Sequence, residues 1–274
     1  MLKRIIPSTG ESIPVIGIGS WIQFDVSNHS PEREDLKQVL TLMHQHKATL
    51  IDSSPMYGRS EQVIGELTNE TGLAEKFFYA TKVWTSGKEA GIQQMNDSMR
   101  KMKRSVMDLI QIHNLVDWQT HLKTLRQWKK EELIRYLGIT HYTTSFHAQL
   151  EEIIKKEPLD FLQFNYSIAT RNAEKTLLPL AKDKGVAVII NEPLEKGGLF
   201  DKVRNKSLPS WAAEYDIQSW AGFFLKYIIS HPAVTCVIPA TSSPLHMKDN
   251  LAAGKGMIPD EKGRKRMVQY FEEL

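Results

Sequence analysis

Eight short apolar runs recur along these 274 residues, and stretches of helical periodicity separate them. The runs fall near 15–19, 49–52, 77–82, 107–112, 136–139, 161–164, 186–190 and 235–238. The helical patterns cover 33–46, 60–68, 92–103, 118–130, 145–155, 177–184 and 219–231. Strands that alternate with helices pair in parallel through helical crossovers. Eight such units in a chain of this length predict an α/β protein, a (β/α)8 TIM barrel rather than an open doubly wound sheet. Ahead of the first unit, apolar residues at 3–6 and 13–16 flank Ser8-Thr9-Gly10-Glu11, which reads as a β-hairpin. Ser30-Pro31 and Gly185 supply helix start and stop signals. No linker or composition shift divides the chain, so 1–274 is expected to form a single domain. The stretch 193–218, with Gly197, Gly198 and Pro209 and no clear period, reads as one long functional loop after the seventh strand.

Polar side chains stand where three consecutive runs end. Asp52 closes Thr49-Leu50-Ile51, and Tyr57 follows in Ser53-Ser54-Pro55-Met56-Tyr57-Gly58. Lys82 closes Phe77-Phe78-Tyr79-Ala80-Thr81, and His113 closes Leu109-Ile110-Gln111-Ile112. Barrels of this kind carry their sites at the C-terminal ends of their strands. A lone charge at a strand end is ordinarily just solvated. An acid, a phenol, an ammonium and an imidazole together form a proton-transfer set. A tyrosine with pKa near ~10 needs a neighbouring cation to favour its phenolate. Lys82 can supply that cation, Asp52 can hold it charged, and His113 can hydrogen-bond a substrate oxygen. Such a group suits delivery of a proton to a carbonyl oxygen as a hydride reaches the carbon.

The chain resembles the aldo-keto reductase superfamily over nearly its whole length. The matching stretches are Val15-Ile16-Gly17-Ile18-Gly19-Ser20-Trp21, Ile51 through Gly58, Ala80-Thr81-Lys82-Val83-Trp84 and Asp108 through His113. Leu137-Gly138-Ile139, Gln163-Phe164-Asn165-Tyr166, Val237-Ile238-Pro239 and Asp249-Asn250 continue the match. The resemblance implies an NAD(P)H-dependent reductase of aldehydes or ketones, with Tyr57 as general acid, Asp52 and Lys82 tuning it, and His113 orienting the carbonyl. It also implies a cofactor site at Gly19, Ser20, Trp21, Thr140, His141, Gln163, Asn191, Pro193, Leu194, Ala240, Thr241, Ser242, Ser243, His246, Asp249 and Asn250.

Several of these positions depart from the family's pattern. Thr140-His141 stands where Ser-Asn usually holds the nicotinamide carboxamide, while Gln163 is retained. Asn191, with Glu192 beside it, occupies the place of a tyrosine that stacks on the nicotinamide. Either the cofactor binds more weakly there, or another ring, such as Trp21, Phe164 or Tyr166, compensates. Ala240 and His246 replace a lysine and an arginine that grip the 2′-phosphate of NADP. Thr241, Ser242 and Ser243 can still donate to phosphate, from a helix N-terminus beginning near Pro244. NADP(H) is therefore the family default and NAD(H) a competitor, with Asp249-Asn250 at the adenine. The chain ends on the helical pattern at Tyr270-Phe271 without a long tail. The pocket is expected to be open, walled by Trp21, Phe24, Trp84 and the 193–218 loop.

Bulk properties narrow the remaining options. A net charge of +3 favours neither nucleic acid nor a membrane surface as partner, and leaves oligomeric state unread. The lone cysteine, Cys236, sits in an apolar run and reads as structural. The N-terminus lacks an apolar signal core, so a cytoplasmic location is expected. Gly17-Ile18-Gly19 has Ile22 where a Rossmann fingerprint needs glycine. His44 and His46 lie on different helical faces, and no metal is expected. The Arg100–Arg104 cluster complements a helix C-terminus. Two rival readings stay open: a Schiff-base aldolase using Lys82 as nucleophile, and a cofactor-binding sensory or regulatory protein with little turnover.

Overall fold

The computed structural model describes residues 1–274. Strands β1 (Lys3–Ile5) and β2 (Ser12–Pro14) form an antiparallel hairpin. Eight parallel strands follow: β3 (Ile18–Gly19), β4 (Leu50–Asp52), β5 (Phe78–Val83), β6 (Met107–His113), β7 (Ile134–His141), β8 (Phe161–Asn165), β9 (Ala187–Asn191) and β10 (Cys236–Val237). Each pairs with its sequence neighbour. The circle closes where Ile16 bridges Val237 and the Gly17 N–H donates to the Val237 carbonyl at 2.9 Å. The predicted barrel and hairpin are both present.

Helices α1 (Glu32–Gln45), α2 (Ser60–Glu70), α3 (Lys88–Lys101), α4 (Trp118–Lys130), α5 (His147–Lys156) and α6 (Leu177–Asp183) cover the outside. They are joined there by α7 (Gly198–Lys202), α8 (Trp220–Ile229), α9 (Pro244–Ala253) and α10 (Glu261–Glu272). The 193–218 stretch is not one irregular loop: it contains α7 and a 3-10 turn at Ser210–Tyr215, which are too short to show a period in sequence. No helix is long and apolar enough to cross a membrane.

Two-residue periodicity sorts the strand side chains. Ile51, Val83, Ile110, Ile112, Ile139, Leu162, Phe164, Val188 and Ile190 point outward into the core shared with the helices. Leu50, Phe78, Ala80, Leu109, Tyr136, Phe161, Ala187, Ile189 and Cys236 fill the barrel's lower interior, which Ile6 and Ile13 of the hairpin help to seal. Burial of each large apolar side chain contributes about 1.5–3 kcal/mol, so this plug is a firm floor. Further along the same inward rows the residues turn polar: Asp52, Lys82, Gln111, His113, Thr140, Gln163 and Asn191.

Candidate active site

The inward rows converge on Asp52. Lys82, fully buried, donates to Asp52 Oδ2 and to the Ser53 carbonyl, both at 2.6 Å. Asp52 Oδ1 accepts from Gln163 Nε2 at 2.9 Å and from Gln111 Nε2 at 3.1 Å. Burial alone would lower the Lys82 pKa. The attraction of Asp52 and Tyr57 outweighs it, so the ammonium is held above its ordinary value.

Tyr57 reaches this cluster from the loop after β4. A turn aims it: the Tyr57 N–H donates to the Ser54 carbonyl at 3.0 Å, with Pro55 at the second turn position. Gly58 follows at φ +56°, and a Cβ there would lie 2.3 Å from the Asp25 carboxylate, so a larger residue would strain the backbone and displace Asp25. Lys82 Nζ stands 5.1 Å from the Tyr57 ring centroid, and the ring meets His113 edge-on at 5.8 Å. Burial raises the tyrosine's pKa, an effect that Lys82 opposes without overcoming. The phenol therefore keeps its proton, as a donor must. His113 is driven the other way, down to about 2, by burial, then by Lys82 and His141. Its imidazole is neutral. Chemically, the cluster presents a protonated phenol beside a fixed ammonium and a neutral imidazole.

Gln111 and Ser54 belong to this site and were not singled out in the sequence. Gln111 was legible as the one polar residue that shares the inward row of Leu109 and His113. Ser54 is fully buried, with its Oγ 2.9 Å from His113 Nδ1.

The expected cofactor residues divide. Thr140 Oγ1 donates to Gln163 Oε1 at 3.2 Å, and Asn191 Nδ2 approaches the same oxygen at 3.5 Å, so these three join the cluster. Gly19 pairs with Asp52 across the first two barrel strands, and Ser20 Oγ donates to Ser53 Oγ at 2.9 Å. His141 faces away: its ring stacks on Phe146 at 3.7 Å, and its Nδ1 accepts the Thr143 N–H. Phe164 and Tyr166 cannot replace the missing stacking ring. Phe164 points into the outer core, and the buried Tyr166 hydroxyl is engaged with Glu174 and Arg264. Phe24 is fully buried and walls no pocket. Trp21 and Trp84 are both exposed, Trp84 lying 6.5 Å from His113.

Pro193 and Leu194 lie within a turn whose flanking residues Glu192, Glu195 and Lys196 all have positive φ. That turn borders a cavity of about 240 Å³ lined by Asn165, Ser167, Thr170, Glu192, Glu195 and Lys196. The Ser167 and Thr170 hydroxyls donate to Glu195 at 2.6 Å, and Lys196 pairs with Glu192 at 3.1 Å. Ser243 caps α9, as its hydroxyl accepts the His246 N–H. Thr241 and Asn250 are buried, while Ala240 and His246 are exposed. Ser242 borders a second cavity, of about 430 Å³, that also holds Asp25 and Glu32. Asp249 accepts from the Ser219 hydroxyl at 2.8 Å, at the N-terminus of α8.

Comparison with known proteins agrees with this architecture. The model of the aldo/keto reductase family matches residues 15–265. Methylglyoxal reductase YeaE of Escherichia coli is 26% identical over 92% of this chain and 89% of its own length. An NADH-specific methylglyoxal reductase of the same organism is 26% identical over 77% of this chain and 73% of its own. Among solved structures, an aldo/keto reductase from Klebsiella pneumoniae in complex with NADP and acetate superimposes with a TM-score of 0.81. It covers 99% of this chain and 96% of its own, at 23% identity. At that identity the likeness speaks for the fold. With the family model spanning nearly the whole barrel, the chain belongs to the aldo/keto reductase family.

Proposed function

We propose that the chain reduces an aldehyde or ketone to an alcohol at the expense of a reduced nicotinamide, with Tyr57 as proton donor. The observation that carries this reading is the buried Lys82–Asp52 pair standing beside a phenol that keeps its proton. When bound, the cofactor supplies hydride to the carbonyl carbon. As negative charge grows on the carbonyl oxygen, the Tyr57 hydroxyl and the neutral His113 ring donate to it. Proton transfer leaves a phenolate, which the adjacent ammonium stabilises. Gln111 and Gln163 hold the Asp52 carboxylate in place, and Asp52 holds Lys82.

The residues present fit such a cofactor unevenly. Asn191 Oδ1 is buried without a protein partner, which suits an amide group at the nicotinamide end. At the other end Thr241, Ser242 and Ser243 offer hydroxyls, but no lysine or arginine lies between 239 and 247. NADP(H) is the cofactor proposed first, on the family's pattern, and NAD(H) is its competitor, on this missing cation.

The rival roles are not favoured. A Schiff-base lysine needs a free amine, whereas Lys82 is fully buried, ion-paired and held as ammonium. A purely sensory role would leave the complete donor cluster without a purpose. The test is cofactor oxidation with methylglyoxal by Tyr57→Phe. Turnover is expected to fall about 10³-fold, with the dissociation constant of the cofactor unchanged. Turnover at the parent rate would remove Tyr57 from the reaction.

A further inference from the structure

The turn that aims Tyr57 also touches His113. Ser54 Oγ lies 2.9 Å from His113 Nδ1 and accepts the Met56 backbone N–H at 3.3 Å. A hydroxyl has one proton and two lone pairs. Were Nδ1–H to donate to Ser54, both lone pairs would be occupied and the serine's own proton would be left without an acceptor in a fully buried position. The opposite polarity satisfies both the serine and Nδ1: Ser54 O–H donates to Nδ1, and the ring proton sits on Nε2. That nitrogen makes no hydrogen bond within the protein, and the ring packs against Tyr57 and Trp84.

We infer that Ser54 is a positioning residue that fixes His113 as its Nε2–H tautomer, so that the imidazole offers a hydrogen-bond donor to the substrate oxygen. A neutral imidazole has one donor and one acceptor nitrogen, and the hydrogen bond at one sets the role of the other. The wrong tautomer would turn a lone pair toward an oxygen that is gaining negative charge. The assignment of Nε2–H to a carbonyl rests on the reductase reading above. The tautomer itself does not.

Long-range proton–nitrogen NMR of the histidine rings in the cofactor-free protein reads the tautomer directly, with His113→Asn assigning the signal. The wild type and Ser54→Thr, which keeps the hydroxyl, are expected to show Nε2–H. Ser54→Ala is expected to lose that preference and to lower kcat about tenfold, with cofactor affinity intact, and Ser54→Thr to restore kcat. An Nδ1–H signal in the wild type overturns the inference, even if Ser54→Ala does not fold. So does Ser54→Ala with an unchanged tautomer, or with a changed tautomer and parental kcat. Should the tautomer hold while the wild type fails to oxidise a reduced nicotinamide with methylglyoxal, the reductase reading fails and the tautomer assigned to His113 stands.

Discussion

The cluster around Asp52 and the rim from Ala240 to His246 belong to one barrel mouth but are built differently. In the cluster, one carboxylate accepts from Lys82, Gln111 and Gln163, and the ammonium has two acceptors of its own. On the rim, Ala240 and His246 are exposed, and the cavity that Ser242 borders is also lined by Asp25 and Glu32. Buried charge tolerates little change, because each group depends on its partner for its ionic state. Exposed recognition residues act through small, screened terms and can be exchanged at low cost. On the proposed reading, the groups that perform the chemistry are held rigidly, while those offered for cofactor choice sit where substitution costs little.

The hardest way to break this contrast is Asp52→Ala. It leaves Lys82 buried without a counter-charge, and the variant is expected to lose about 3–5 kcal/mol of stability in urea unfolding. A loss below about 1 kcal/mol, the range of an exposed pair, would mean that the cluster is no more constrained than the rim.

The barrel was legible in the sequence because its eight apolar runs and their intervening helices repeat, and the polar exits of three strands located the cluster. What stayed hidden depended on partners far away in sequence. Tyr166 was a candidate stacking ring until its hydroxyl met Glu174 and Arg264, the latter 98 residues away. Phe164 and His141 follow directly after inward residues and so face outward, a consequence of register that proximity to a motif conceals. Ser54 gave no compositional signal, and only the turn at Pro55 brings it to His113. Gln111 could be placed from the inward row of β6, but its partner Asp52, 59 residues away, could not.

A smaller effect tests the rim. Ala240→Lys with His246→Arg returns two cations to the mouth beside Ser242. The ratio of NADPH to NADH dissociation constants is expected to move toward NADPH about tenfold, as suits partly exposed charge-assisted contacts. Fluorescence titration with each cofactor measures it. An unchanged ratio would place recognition of the 2′-phosphate elsewhere, and kcat altered along with it would mean that rim and cluster are coupled.

The smallest expected effect is the absence of one. His113, depressed to about 2, stays neutral through the working range, while Tyr57 and Lys82, both raised, keep their protons. With the cluster's protonation fixed, kcat for carbonyl reduction should be level from about pH 5 to pH 9 and decline first on the alkaline side, as Tyr57 ionises. Stability should behave differently. Unfolded His113 takes up a proton near pH ~6.5 that the folded ring refuses, so the fold weakens as pH falls below that value, and His113→Gln removes part of the slope. The rim should titrate where the cluster does not, because the 2′-phosphate of NADPH gains a proton near pH ~6, as phosphate monoesters do. An acid limb is therefore expected in KM for NADPH and not in KM for NADH. An acid limb in kcat near pH 6.5 with both cofactors would assign the titration to His113 and remove the distinction between the two regions.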